Sequence, residues 1–248
     1  MEGRVVLVTG GSRGIGRAIA LRFAQAKTRL FINFFQNREA ADKTAEDAAS
    51  LGSEVHLLQA DLKDESQIRV MFDEIHRRYG RLDILAHNAA SGVLRSVVDL
   101  TAKQWDWVMD TNARSLLLCA RGAASIMQSG GRIISLSSLG SGRVVPQYAA
   151  IGISKSALES LTRYLAVELA PRGIAVNAVS AGAVPTDIWR LVPDGQELLE
   201  RVREQTPSGR LVTPEDVAEI VYFLAGPRAQ MIQGQVLVVD GGYSLLAS

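Results

Sequence analysis

Short apolar, β-branched segments alternate with longer helical patterns along the whole sequence. The predicted strands are Arg4–Thr9, Arg29–Phe34, Glu54–Gln59, Leu82–Ala86, Arg132–Ser137, Ile174–Val179 and Gln235–Val239. The predicted helices are Ile15–Ala26, Arg38–Leu51, Glu65–Tyr79, Thr101–Met127, Ala149–Ala170 and Pro214–Leu224. Strands that alternate with helices of this length form βαβ units, in which helices cover both faces of a parallel sheet. The sequence therefore predicts an α/β fold with one doubly wound parallel sheet of seven strands.

Length and composition favour a single domain over residues 1–248. Apolar residues make up 47% of the chain, which is enough for a large core, and no linker-like segment divides it. The one irregular stretch is 183–209, where three prolines interrupt a short amphipathic segment, Gln196–Glu204. Such a stretch is a candidate substrate lid, and an ordinary surface loop explains it equally well.

Charge and cysteine content indicate small-molecule partners in a reducing compartment. Lys and Arg number 27 against 26 Asp and Glu, so the net charge is +1 and no global field attracts nucleic acid or an anionic membrane. The single cysteine, Cys119, forms no internal disulfide. We find neither a signal-peptide pattern nor an apolar span of membrane-crossing length, and we expect a cytoplasmic protein. The histidines His56, His76 and His87 show no ligand spacing, so we predict no metal site.

A glycine-rich loop lies between the first predicted strand and the first predicted helix. Its spacing is Gly-x-x-x-Gly-x-Gly, and a tight turn alone also explains glycines in a loop. In this position, however, glycines let the backbone approach a pyrophosphate, whose charge is then met by free N–H groups at a helix N-terminus. The predicted dinucleotide-binding residues of the loop are Gly10, Ser12, Arg13, Gly14, Ile15 and Gly16.

The end of the second predicted strand favours NADP over NAD. An acidic residue there would hold the ribose 2′-hydroxyl of NAD, and the segment 33–38 contains none. Arg13 and Arg38 are the candidates for contacting a 2′-phosphate, although solvated arginines are common in loops. Asn37 is a further cofactor-binding candidate in the same segment. Four further cofactor-binding candidates follow the third and fourth predicted strands at the same edge of the sheet: Asp61, Leu62, Asn88 and Ala89.

Tyr148 and Lys155 are the candidate catalytic pair. A phenol with an ordinary pKa near 10 is a weak acid, and a nearby ammonium lowers that pKa by favouring the phenolate. The two residues are seven positions apart, which is nearly two helical turns, so on one helix they would share a face. Tyr148 could also lie just before that helix, and both placements stay open.

These motifs occur in the order of the glycine loop, Asp61, Asn88–Ala89, Asn112, Ser138 and the Tyr148/Lys155 pair. From Val5 to Gly242 the chain resembles the short-chain dehydrogenase/reductase family. The resemblance implies a single-domain Rossmann-like fold, usually tetrameric, in which the tyrosine donates or takes the proton. It also implies that Lys155 holds the nicotinamide ribose and lowers the pKa of the tyrosine.

Further roles follow from the same resemblance. Ser138 would orient the substrate oxygen, although Ser137 or Ser141 could compete with it. Asn112 would support a proton-relay water, and a structural amide that bonds to backbone is an equal alternative. Val184 and Thr186 would contact the nicotinamide carboxamide.

One departure from the common pattern concerns the reaction. Most members have Tyr-x-x-x-Lys, but Ile151 stands four residues before Lys155, and Tyr148 gives Tyr-x₆-Lys instead. That spacing resembles the spacing between the same two residues in enoyl-acyl carrier protein reductases. The segments HNAASGVLRSVVDL, QWDWVMDTNARSLLLCAR, SLSSLGS and MIQGQVLVVDGGYSLL are most similar to the NADPH-dependent type III of bacteria. Smaller departures are His87 for Asn, Ala90 for Gly and Ala181 for Pro.

The implied function is NADPH-dependent reduction of the 2,3 double bond of an enoyl thioester in fatty-acid elongation. The substrate would be a thioester of acyl carrier protein or coenzyme A, and the protein a homo-oligomer, either tetramer or dimer. Hydride addition to C3 places negative charge on the thioester oxygen, three bonds away, so the proton donor must reach further than in a ketone reductase. A 3-oxoacyl or carbonyl reductase and a non-catalytic dinucleotide-binding protein are the alternatives.

Overall fold

One parallel sheet forms the centre of the molecule. The computed structural model describes residues 1–186, 189, 192 and 194–246. Within these residues, seven strands pair in the order β3-β2-β1-β4-β5-β6-β7, and every pairing is parallel. The strands are β1 (Val5–Thr9), β2 (Arg29–Phe34), β3 (Glu54–Gln59), β4 (Leu82–His87), β5 (Met127–Ser138), β6 (Ala175–Ala181) and β7 (Val236–Val239). The predicted single-domain, doubly wound α/β fold is confirmed.

The helices that connect these strands agree with the predicted ones within a few residues, with one exception. They are α1 (Gly14–Ala24), α2 (Arg38–Ser50), α3 (Glu65–Tyr79), α4 (Ala102–Met109), α5 (Ser115–Ile126), α6 (Ala149–Leu169), α7 (Gly195–Gln205) and α8 (Pro214–Ala225). The prediction of one helix over Thr101–Met127 is wrong in detail. A π-helical segment, Asp110–Arg114, separates α4 from α5, and Met127 already belongs to β5. One wide turn of this kind is the usual form of a π-helix inside an α-helix.

Local chemistry accounts for where several helices begin and end. The carboxylate of Asp64 accepts hydrogen bonds from two backbone N–H groups at the start of α3. Thr213 caps α8 in a capping box, and Pro214 occupies its first helical position. Gly173, with φ +70°, ends the turn that follows α6. Each of these helix ends is therefore set by residues at the boundary itself.

Two apolar cores lie on opposite faces of the sheet. Successive residues of β1 point to opposite sides, so Val5 and Leu7 belong to the core beneath α3, α5 and α6. Val6 and Val8 belong to the core beneath α1 and α8. All of β1 is buried because it lies at the centre of the sheet. None of the described helices is long and apolar enough to cross a membrane.

The carboxyl ends of the central strands meet at one edge of the sheet. Thr9 of β1 is in register with His87 of β4, and His87 is in register with Ser135 of β5. The chain leaves β1 toward β2 on one side and returns to β4 on the other. This change of direction opens a crevice beyond the strand ends, which is where ligands bind in doubly wound sheets.

Candidate active site

The glycine loop is packed so closely that larger residues do not fit. A Cβ added to Gly16 would lie 2.2 Å from the carbonyl oxygen of Gly10 and 2.5 Å from Nδ2 of Asn88. Gly10 has φ +60°, and a Cβ there would lie 2.9 Å from Cα of Ala89. The Asn88 amide donates to the carbonyl oxygen of Gly10 at 3.1 Å. The structure therefore brings the predicted loop and the Asn88–Ala89 pair into direct contact.

The start of α1 is open toward the crevice. Arg13 precedes the helix in an extended conformation, and no side chain of the described residues caps it. Gly14 has φ +54° and lies against the side chain of Thr186, whose Cγ2 is 3.4 Å from a Cβ built on the glycine. An uncapped helix N-terminus leaves backbone N–H groups and the positive end of the helix dipole for an anion. This arrangement fits the pyrophosphate of a dinucleotide.

Two of the residues predicted to bind the cofactor near the end of β2 have partners of their own. The side chain of Asn37 accepts a hydrogen bond from the N–H of Ala40 and caps α2. The Arg38 guanidinium pairs with Asp42 at 2.9 Å. Arg13 is exposed on the loop before α1. Of the predicted phosphate-contacting residues, Arg13 is the one whose position on the glycine loop suits that contact.

The third strand places Asp61 and Leu62 at the same edge of the sheet. Asp61 accepts from the N–H of Lys63 at 3.0 Å and lies 3.3 Å from its ammonium. Leu62 is buried. Both residues follow β3, two strands away from the glycine loop.

Tyr148 lies immediately before α6 instead of on it. Its backbone angles, φ −97° and ψ 12°, are not helical, and the helix begins at Ala149. The prediction of one shared helical face with Lys155 is therefore replaced by the alternative placement. The phenol hydroxyl donates to Oγ of Ser138 at 3.4 Å. The ring packs on Gly140, where an added Cβ would lie 2.6 Å from a ring carbon.

Lys155 is buried beside β5. Its ammonium donates to the carbonyl oxygen of Leu136 at 2.7 Å. Burial lowers the pKa of Lys155 to about 8, and the carboxylate of Glu159 opposes that shift. Burial also raises the pKa of Tyr148, and the hydrogen bond with Ser138 lowers it by less. The pKa of the phenol is thus raised, and the charge of Lys155 is not among the causes of its shift.

Of the three candidate serines, the structure brings Ser138 to the phenol. Ser137 instead donates to the carboxylate of Glu159 at 2.5 Å. The backbone carbonyl of Ser141 accepts a hydrogen bond from Ser156. Ser138 is the last residue of β5, so the sheet fixes its position.

Asn112 lies in the π-helical segment and is fully buried. Its Oδ1 accepts from the N–H of Ser91 at 2.8 Å. Its Nδ2 donates to the carbonyl oxygen of Ser91 and to Oγ of Ser154, both at 2.9 Å. The side-chain amide thus fastens the segment after β4 to α6, which is the structural role weighed beside a proton relay.

His87 is a buried site residue whose importance the sequence did not reveal. One ring nitrogen, Nε2, lies 3.0 Å from Oγ of Ser115, and that hydroxyl donates to the carbonyl oxygen of Thr111. Nε2 is therefore the protonated nitrogen, while Nδ1 is buried and has no hydrogen-bond partner among the described residues. Burial lowers the pKa of His87 to about 3, and the charge of Lys155 contributes. The imidazole stays neutral beside the ammonium. Its signals in the sequence were its place next to a predicted strand and its departure from the asparagine of the family pattern.

The segment after β6 contacts the glycine loop. Val184 is buried, and its carbonyl oxygen accepts a hydrogen bond from the indole of Trp189 at 2.8 Å. Thr186 reaches Gly14, as described above. The predicted amphipathic segment is the helix α7. Five residues of the predicted lid, Asp187, Ile188, Arg190, Leu191 and Pro193, lie outside the described residues.

Comparison with known proteins places this arrangement in a family. A family model described as enoyl-(acyl carrier protein) reductase matches residues 10–244. A short-chain dehydrogenase from Burkholderia cenocepacia, solved in complex with NADP, superposes with a TM-score of 0.90 at 34% identity, and 98% of each chain is covered. The chain belongs to the short-chain dehydrogenase/reductase family. Its activity is therefore that of a nicotinamide-dependent oxidoreductase.

Two curated members of the short-chain dehydrogenase/reductase family are similar over nearly the whole chain. A 1-cyclohexenylcarbonyl-CoA reductase of Streptomyces collinus is 39% identical over 98% of this chain and 88% of its own length. A versicolorin reductase of Emericella nidulans is 35% identical over 98% of this chain and 96% of its own length.

In this short-chain dehydrogenase/reductase, Ile151 packs tightly against the segment after β4. A Cβ added to Gly92 would lie 2.2 Å from Cγ1 of Ile151. The isoleucine therefore rests on bare glycine backbone. In the described part of the chain, no group of three or more His, Cys, Asp and Glu side chains could hold a metal ion.

Proposed function

We propose that this family member is an NADPH-dependent enoyl thioester reductase of the enoyl-acyl carrier protein reductase type. The proposal rests on which tyrosine contacts Ser138. Tyr148, seven residues before Lys155, makes that contact, while the position four residues before Lys155 holds an isoleucine. The substrate is the 2,3-enoyl thioester of acyl carrier protein or coenzyme A, as in fatty-acid elongation.

NADP(H) is the cofactor of the proposed reaction. Gly10, Gly14 and Gly16 leave room for the pyrophosphate, and Arg13 meets the 2′-phosphate. Lys155 holds the nicotinamide ribose. Further contacts come from Ser12, Ile15, Asn37, Arg38, Asp61, Leu62, Asn88, Ala89, Val184 and Thr186. The structural neighbour with bound NADP and the absence of an acid at the end of β2 support this assignment. When bound, the cofactor supplies a hydride.

Tyr148 supplies the proton in this proposal. Because burial raises its pKa, the phenol is fully protonated near neutral pH and can act as an acid toward an oxygen that gains negative charge. Ser138, at 3.4 Å, directs the hydroxyl and can share the same oxygen. The ammonium of Lys155 adds positive charge on this side of the site.

Two similar proteins give different support. The Streptomyces collinus relative is named for a coenzyme A thioester with a double bond next to the carbonyl group, which is the proposed substrate chemistry. The versicolorin reductase carries a name that specifies no acyl thioester, so it does not support an enoyl thioester substrate. The second candidate function is a 3-oxoacyl or carbonyl reductase.

Assays of NADPH oxidation with different thioester substrates separate the candidates. We expect the purified protein to oxidise NADPH with crotonyl thioesters of coenzyme A or acyl carrier protein. Oxidation of NADPH with acetoacetyl thioesters and not with crotonyl thioesters would contradict the proposal and establish the second candidate. Binding of NADPH without turnover of either substrate would instead indicate a non-catalytic dinucleotide-binding protein.

The assignment of Tyr148 is tested by Tyr148→Phe. Removal of the phenol hydroxyl removes the proton donor, so we expect turnover to fall by about 10²–10⁴-fold. NADPH binding, followed by fluorescence, should persist because the ring still packs on Gly140. Tyr164→Phe, at an exposed tyrosine of α6, is the matched control and should keep full activity. Full activity of the Tyr148 variant would exclude the phenol as the acid.

A further inference from the structure

The turn that precedes Tyr148 is strained. The N–H of Tyr148 donates to the carbonyl oxygen of Val145 at 3.1 Å, which closes a four-residue turn. Pro146 takes its second position, and Gln147 takes the third with φ +60°. These are the features of a type II turn, whose third position favours glycine or asparagine because φ is positive there. The Gln147 side chain is exposed, so its backbone conformation is held by other groups.

A backbone bridge from the segment after β4 holds this turn. The N–H of Arg95 donates to the carbonyl oxygen of Gln147 at 2.7 Å. Arg95 and Tyr148 thereby form an isolated parallel β-bridge outside the main sheet. A left-handed conformation at a residue other than glycine persists where the surrounding structure determines it. The Arg95 bridge is such a determinant, next to the phenol-bearing residue.

The segment Ser91–Arg95 is itself anchored at its other end. The buried amide of Asn112 pairs with both backbone groups of Ser91 and with the hydroxyl of Ser154 on α6. Between the two ends, Gly92 lies directly on Ile151. The segment therefore runs alongside the first turn of α6. It is held at Gln147 before that turn, at Ile151 within it and, through Asn112, at Ser154 after it.

We propose that the segment Ser91–Arg95 and the turn 145–148 form a clamp that sets the position of the Tyr148 phenol. Gln147 and the backbone N–H of Arg95 are its positioning residues. The inference rests on the proposed role of Tyr148 as the proton donor. Because Tyr148 stands outside α6, the helix alone does not fix where its ring points. The clamp supplies that constraint, and it directs the phenol toward Ser138.

The clamp predicts a separation between turnover and binding. A looser turn lets the phenol leave its place against Gly140, and a misplacement of about 1 Å can cost about 100-fold in rate. The glycine loop and the uncapped start of α1 lie elsewhere in the crevice and keep their geometry. Loss of the clamp should therefore lower kcat by about 10- to 100-fold, with KM for NADPH changed by less than about threefold.

Substitutions at Gln147 test the turn. Gln147→Val disfavours positive φ most strongly, Gln147→Ala does so less, and Gln147→Gly removes the strain. We expect kcat to be highest in the glycine variant, close to that of the wild-type protein. It should be lower in the alanine variant and lowest in the valine variant. Equal kcat in the glycine, alanine and valine variants would overturn the proposal. If the valine variant does not fold, the alanine and glycine variants decide the order.

Substitutions at Arg95 test the bridge. Arg95→Pro removes the N–H that reaches Gln147, while Arg95→Ala keeps it and removes the exposed side chain. The clamp predicts a much larger loss of kcat for proline than for alanine. An equal loss in both would show that the side chain acts, and it would overturn the backbone bridge. Circular dichroism and NADPH binding establish which variants fold.

A titration of the phenol separates this inference from the proposed function. The ionisation of Tyr148 is followed by ultraviolet absorption, as the difference between each protein and its Tyr148→Phe counterpart. We expect the pKa to fall from its raised value toward 10.0 in Gln147→Val and to stay raised in Gln147→Gly. This readout needs no substrate, so it stands if no thioester is reduced. An unchanged pKa in the valine variant would contradict the clamp.

Discussion

At the scale of one residue, Lys155 destabilises the folded protein because its ammonium is buried. Its ammonium is buried with one backbone carbonyl as acceptor, and its pKa falls from 10.5 to about 8. The neighbouring imidazole of His87 is neutral and the phenol of Tyr148 is protonated, so neither neutralises the charge. The shift corresponds to about 3 kcal/mol of unfavourable free energy in the folded state at neutral pH.

We predict that Lys155→Met removes activity and stabilises the protein at about pH 7. The neutral side chain avoids the desolvation of the ammonium, while Leu136 loses a hydrogen bond worth about 1 kcal/mol. The net gain should be about 1–2 kcal/mol, or a rise of a few degrees in Tm. Calorimetry measures it, with the exposed Lys103→Met as control.

The same variant has a pH dependence with a definite sign. Between about pH 8 and 10.5 the unfolded chain keeps a proton on Lys155 that the folded chain has lost. In that window the wild-type protein gains stability as the pH rises. The Tm difference between the Lys155→Met variant and the wild-type protein should therefore shrink above pH 8. A difference that grows with pH would contradict a lowered pKa.

At the scale of elements, the π-helical segment Asp110–Arg114 fastens the segment after β4. Its Asn112 amide makes three hydrogen bonds while fully buried. The segment after β4 would otherwise have unpaired backbone groups at Ser91. The single wide turn therefore serves the active site as well as the helix, which is a common use of such turns.

We predict that Asn112→Leu destabilises the protein by about 2–4 kcal/mol, because it leaves the buried N–H and C=O of Ser91 without partners. Urea unfolding measures the change. Thr111→Val, in the same segment, removes a hydroxyl bonded to the carbonyl of Trp107 and should cost less than about 1.5 kcal/mol. Equal losses in the two variants would contradict a special role for Asn112.

The sequence predicted most elements because their signals are local. Periodicity and capping residues determine where a helix such as α3 starts. The π-helical turn was missed because the apolar pattern continues through it, and only the contact between Asn112 and Ser91 distinguishes it. The predicted start of α6 at Ala149 already allowed Tyr148 to lie outside the helix, but its bridge to the distant residue Arg95 is contained in no local pattern.

At the candidate site, residue types were predictable and partners were not. The glycine loop and the Ser138/Tyr148 pair follow from motif spacing. The neutral state of His87 and the raised pKa of Tyr148 follow from burial and tertiary contacts. Those contacts join residues far apart in the chain, so no local pattern encodes them.

At the scale of the whole molecule, we predict self-association into a dimer or tetramer. The helix α6 exposes Tyr164 and Val167 at 68% and 74%, and the edge strand β7 exposes Val238. Exposed apolar residues on one face of a helix are typical of association surfaces. Light scattering after size-exclusion chromatography measures the mass.

Charge placed on that surface should reduce the mass. Val167→Asp introduces a carboxylate that is costly to bury between copies, so we expect smaller species. Val70→Asp, on the exposed face of α3, is the matched control and should leave the mass unchanged. A monomeric wild-type protein would contradict the prediction.

The contact between Gly92 and Ile151 also constrains how this enzyme can diverge. Because even a methyl group at position 92 would collide with the isoleucine, the two positions are not free to mutate independently. A lineage that gains a side chain at position 92 must first shorten residue 151. The order of substitutions is thus imposed by one close contact.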